Sequence, residues 1–177
     1  MNSSPIDWNK GGRKMVSLKL MNDNGKIQVK SRDIKDLLLM SEDIEKCQDI
    51  SDTIKEKDIL VFDCQLAKDL FLSNKYDLDP IVSSLTEGLE EGYFDMFFED
   101  IRDYIKGFTD EFEEDLQEKY GFDDVRCHFE IYSIGQDFDD FKFILLVAFK
   151  RIEIQKLDSI VKIVGRRRLS GASKFYS

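Results

Sequence analysis

The chain has 177 residues, 42% hydrophobic and 35% charged, with a formal net charge of -10 and a sequence pI near 4.7. That composition suits one globular domain that buries its core without disulfide staples. An acidic body repels nucleic acid and anionic membrane, and the longest apolar runs fall far short of the ~20 residues a membrane span requires.

Residues 1–14 are polar, carry Ser3, Ser4, Pro5, Gly11 and Gly12, and read as a flexible N-terminal arm. Trp8, the only tryptophan, stands in this arm as an anchor, either for a partner or for the chain's own domain.

Residues 15–164 read as a single α+β domain. Met15 to Leu20 and Lys26 to Lys30 alternate as strands around Asn22-Asp23-Asn24-Gly25, which is hairpin turn chemistry. Ser31 caps a short helix holding Ile34, Leu37 and Leu38. Ser41 starts another, with Ile44, Cys47, Ile50 and Ile54 as its apolar stripe. Ile59 to Phe62 is a short strand, and Gln65 to Leu72 a short helix. Asp77 or Asp79 then caps a helix with Pro80 at its first position and Ile81, Leu85 and Leu89 on its buried face.

The densest stretch is Glu91 to Tyr120. Phe94, Phe97, Phe98, Ile101, Tyr104, Ile105, Phe108, Phe112 and Leu116 recur at steps of three and four, the stripe of an amphipathic helix. Acidic residues from Asp95 to Glu118 crowd the other face, answered only by Arg102, Lys106 and Lys119. Gly107 interrupts the run, so the spacing predicts one kinked helix or two packed on one core, stopped by Gly121.

Val125 to Ile134 and Phe141 to Phe149 alternate as a second hairpin. The latter strand is apolar on both faces, which predicts a central, doubly covered position. Leu157, Ile160, Val161 and Val164 fit a helical turn or two, although their β-branched content favours a strand. Residues 165–177 form a basic C-terminal tail with Arg166, Arg167, Arg168 and Lys174, no acid, and Phe175 and Tyr176 near its end. Without those four charges the remainder stands at -14. The fold class expected is thus α+β: two antiparallel β-hairpins in a mixed or antiparallel sheet, packed against several amphipathic helices, with polar arms at both ends.

Little in the chain signals catalysis. The single histidine, His128, faces opposite to Cys127 on an alternating strand, which removes most zinc sites and Cys-His pairs. Cys47, Cys64 and Cys127 show no CxxC spacing and read as reduced cysteines of a cytoplasmic protein. No phosphate-binding, nucleophile-elbow or metalloprotease motif occurs. Asp95, Glu99 and Asp103 share a helix face, but surface pairing with Arg102 and Lys106 accounts for them. Asp137, Asp139 and Asp140 lack the closing glutamate of a calcium loop. No catalytic, cofactor or metal residue is assigned.

The expectation is a non-enzymatic structural or interaction subunit of a larger assembly, such as a phage or viral structural component, cytoplasmic or in the virion. It would dock on protein partners or on copies of itself through Trp8, Arg166, Arg167, Arg168, Lys174, Phe175 and Tyr176, without binding nucleic acid directly. An acidic inhibitor or immunity-type protein working through Asp95 to Glu118 is the alternative, and an acid-cluster metal-dependent hydrolase a third.

Overall fold

Gly25 sits at φ 122°, a conformation open to glycine and costly for other residues, and it closes the first hairpin. The computed structural model describes residues 15–134 and 140–176, with side chains at 15–68, 95–134 and 140–171. Strand β1 (Ser17–Asn22) pairs antiparallel with β2 (Gly25–Lys30) in a sheet of two, Asn22 opposite Gly25. The Asn24 N–H donates to Asn22 Oδ1 at 2.8 Å and fixes the turn. Helix α1 (Ser31–Leu39) follows at once. Ser31 is its first residue rather than its cap, and its hydroxyl accepts the Val16 N–H at 2.9 Å.

A second sheet has the order β3 (Ile44–Asp49), β4 (Ile59–Leu66), β6 (Lys142–Phe149), β5 (Val125–Ser133), with every pair antiparallel. The described strands therefore form two antiparallel sheets where one mixed or antiparallel sheet was expected. As its pattern predicts, β6 is central and covered on both faces. Phe143, Leu145, Val147 and Phe149 join the core beneath Phe97, Ile101, Ile105, Phe112 and Leu116 of helix α2 (Lys68–Tyr120). Ile144, Leu146 and Ala148 join a smaller core with Leu157, Val161 and Val164 of helix α3 (Ile154–Tyr176). Each large apolar side chain so buried stabilises by roughly 1.5–3 kcal/mol.

Gly121 ends α2 in the left-handed region, at φ 57° and ψ 44°, as expected of a glycine stop. Asn22 Nδ2 donates to the Tyr120 carbonyl at 2.7 Å and ties the first hairpin to that helix end.

Several expectations are corrected. The stretch from Ser41 is not a helix, because Ile44 to Asp49 pair with β4. The register slips between Ile44 and Lys46, so an extra residue sets Ile44 and Cys47 on the core face three apart. That bulge imitates a helical step. Gln65 and Leu66 belong to β4, so no helix starts at Gln65. Pro80 lies within the segment Lys68–Tyr120, which is helical throughout its 53 residues. The segment from Leu157 is helical, and residues 165–176 continue that helix instead of forming a tail, since Leu157, Val161 and Val164 share one buried face.

Helix α2 is no straight rod. The Leu66 N–H donates to the Phe141 carbonyl at 3.0 Å, and the Phe97 ring lies 5.9 Å from the Phe141 ring. A straight helix from Lys68 to Phe97 would separate its ends by roughly 44 Å. The chain leaves the sheet at Leu66 and returns to the same place at Phe97, so it must reverse direction between them. Pro80 and Gly92 lie within that interval.

Candidate functional site

One face of β4 changes character along its length. Ile59 and Val61 pack under α3, but the next two residues on that face are Asp63 and Gln65. Their neighbours in register continue the polar ground: Lys46 and Lys142 flank Gln65, and Gln48 lies opposite Asp63. Apolar packing holds α3 through Val164, and the helix then carries Arg167 and Arg168 over this polar half of the sheet. The result is a cleft of about 630 Å³ between sheet and helix.

Asp63 is its organising group. The Tyr132 hydroxyl donates to Asp63 Oδ1 at 2.7 Å and lies 2.8 Å from Oδ2. Arg168 Nε donates to Oδ2 at 2.7 Å, and Arg168 Nη2 donates to Gln48 Oε1 at 2.7 Å. The Asp63 side chain is only 10% exposed, so this carboxylate needs those donors. Burial, and then the bond to Asp63, push the Tyr132 hydroxyl well above its ordinary value of 10, so it remains a protonated donor at neutral pH. Gly165 lets the helix come close: a Cβ there would lie 3.2 Å from Tyr132 Cβ.

Among the described residues, four cations, Lys46, Lys142, Arg167 and Arg168, line the cleft with a single carboxylate, Asp63, which Arg168 already neutralises. Asp140 approaches Lys142 at 3.8 Å from outside the lining. The arrangement attracts anionic groups and holds them by charge-assisted hydrogen bonds.

The expected docking residues are dispersed. Arg166 and Arg167 are exposed, whereas Arg168 is half-buried and engaged within the fold. That corrects the reading of Arg168 as a free tail residue, because Asp63 and Gln48 take its guanidinium. Trp8 and the side chains of Lys174, Phe175 and Tyr176 lie outside the described residues, as do Asp137 and Asp139. Sequence reasoning missed Lys46, Gln48, Asp63, Tyr132 and Lys142. The available signal was the switch from Ile59 and Val61 to Asp63 and Gln65 along one face of a strand.

Other chemical groups are engaged separately. His128 Nε2 lies 3.1 Å from Asp158 Oδ1. Cys47 and Cys64 oppose each other across β3 and β4 with Sγ atoms 3.9 Å apart, unbridged. Their mutual contact and burial push the Cys64 thiol well up, and burial does the same to Cys127, so both are poor nucleophiles. Asp95, Glu99 and Asp103 are exposed. Among the described residues, no three His, Cys, Asp or Glu side chains are grouped to hold a metal ion. No helix among them is long and apolar enough to cross a membrane.

Comparison with known protein families, with curated proteins and with solved structures finds no match to this chain.

Proposed function

We propose that the chain is a non-enzymatic interaction subunit of a larger protein assembly, and that the cleft under α3 receives an acidic segment of a protein partner. One observation carries this reading. On a chain of net charge -10, four cations gather around a cleft whose one carboxylate among the described residues is already satisfied. A locally positive cleft in a negative body favours a short anionic segment and repels a long polyanion. β3 is an edge strand of its sheet, which gives an extended segment backbone groups to pair with as well.

The test is titration calorimetry with a glutamate-rich peptide and with its lysine-rich counterpart. The acidic peptide should bind, with affinity falling as salt rises. Lys46→Glu combined with Arg167→Glu should weaken it at least about tenfold, as loss of two charge-assisted contacts implies. Equal binding of both peptides, or of neither, overturns the proposal.

A second reading rests on α2. Asp95, Glu99, Asp100, Asp103, Asp110, Glu111, Glu114, Asp115 and Glu118 are all exposed on it, which suits an acidic inhibitor of a basic site. A basic partner lost on neutralising α2, but kept when the cleft is reversed, would favour that reading.

A further inference from the structure

A second groove, of about 450 Å³, lies between α1 and α2 on the opposite side of the four-stranded sheet from the cleft. Its floor is apolar: Leu37, Phe108 and Phe112, the two rings stacked at 6.1 Å with their planes 6° apart. Its rim carries three carboxylates, Asp43, Glu111 and Asp115, against one cation, Lys119, and so is acidic on balance. Met40 at its edge is 77% exposed, the highest value among the exposed large apolar side chains described. An apolar floor with an acidic rim suits an occupant that is apolar at one point and basic beside it.

We propose that residues 6–14 of this same chain fill the groove, with Trp8 on the apolar floor and Lys10, Arg13 and Lys14 against the acidic rim. Position and reach support this occupant. Val16 is fixed beside Ser31 by two hydrogen bonds, 2.9 Å to the hydroxyl and 2.8 Å from the backbone N–H. Ser31 begins the same helix whose other end carries Leu37 and leads to Met40. Ser31 to Met40 spans roughly 14 Å of helix rise. The eight residues from Trp8 to Val16 reach up to about 26 Å when extended, so the indole can arrive with slack. Gly11 and Gly12 fall between and permit the necessary turn. Composition supplies the match: one large apolar ring, then three cations, in a segment whose only acid is Asp7. Because the segment is covalently attached, its effective concentration is high, and modest contact energy is enough to hold it.

The chain's single tryptophan makes the test direct, because all indole emission comes from Trp8. In the full chain, emission should lie to the blue of free indole in water, with acrylamide quenching several-fold weaker than for free indole. Met40→Glu, and separately Glu111→Lys with Asp115→Lys, should shift emission and quenching back towards the water values. All three positions are exposed, so circular dichroism should stay unchanged in both variants. The wild-type signal should not depend on protein concentration. Water-like emission in the wild type overturns the proposal, as does a protected signal that neither variant moves. Protection that grows with protein concentration also overturns it and assigns the groove to a second copy.

Discussion

Arg168 and Asp63 stand 105 residues apart in sequence and meet through Nε and Oδ2 at 2.7 Å. The contact pins the last helix to the interior of the four-stranded sheet and sets the width of the cleft. Arg168→Ala would leave the nearly buried carboxylate with Tyr132 alone. Losing one partner of a buried pair costs about 3–5 kcal/mol, and the 28% exposure of the Arg168 side chain lowers this to about 2 kcal/mol. Urea unfolding should show that loss. Deleting Leu169 to Ser177 keeps Arg168 and should cost less than half as much, whereas a deletion starting at Arg168 should cost at least as much as the point change. Equal midpoints for the two truncations would show that Arg168 anchors nothing.

Tyr132 makes the fold alkali-sensitive in a defined window. Its pKa is raised in the folded state, so the stability it contributes is complete below the ordinary value of 10 and is lost as pH rises above it. Spectrophotometric titration of the six tyrosines should show at least one that ionises late. Burial pushes the Tyr120 hydroxyl up as well, so Tyr132→Phe should remove one late step and leave another. It should also destabilise by about 1–3 kcal/mol at neutral pH, because Asp63 loses a donor.

Thr109 lies on the buried stripe of α2 between Ile105 and Phe112, 2% exposed, and among the described residues its hydroxyl has no hydrogen-bond partner. An unpaired buried hydroxyl is destabilising, so the near-isosteric Thr109→Val should raise stability by about 1 kcal/mol. A drop in the thermal midpoint would reveal a hydrogen bond at this site.

Two surface carboxylates brace the start of α3. Lys150, then Lys156, hold the Glu56 carboxyl below its ordinary value, and Lys162, then His128, do the same for Asp158. A depressed carboxyl stabilises above its unfolded pKa and ceases to do so as pH falls through the folded one. The loss should therefore begin below the ordinary values of 4.5 and 3.8. Hydrogen exchange in the first turns of α3 should accelerate there, and Glu56→Gln should flatten the response. Both side chains are partly exposed, Glu56 at 30% and Asp158 at 41%, so added salt should weaken the effect.

The sequence exposed the parts of this fold that depend on regular periodicity. The alternation from Phe141 to Phe149 marked β6 as central, and the steps from Phe97 to Leu116 marked the helix that covers it. Asn22 to Gly25 announced a turn whose chemistry is local. Irregularity hid β3, since one extra residue near Glu45 turned a period of two into an apparent period of three. Long range hid the cleft. Gln48, Asp63, Tyr132 and Arg168 come from three strands and a helix, and no local pattern declares that they meet. The β-branched residues Ile160, Val161 and Val164 favoured a strand by propensity, yet packing against Ile144, Leu146 and Ala148 decided for helix.

The return of the chain to Phe141 has an engineering consequence. Leu66 and Phe97 touch one residue, so everything between them enters and leaves the domain through a single doorway. In topological terms it is an insertion, whose closure asks only that two neighbouring ends be joined. A short glycine-serine linker in place of residues 70–94 should leave both hairpins and the basic cleft in register. The same doorway should accept a foreign domain with adjacent termini, which makes it a natural place for a reporter that leaves cleft and groove untouched.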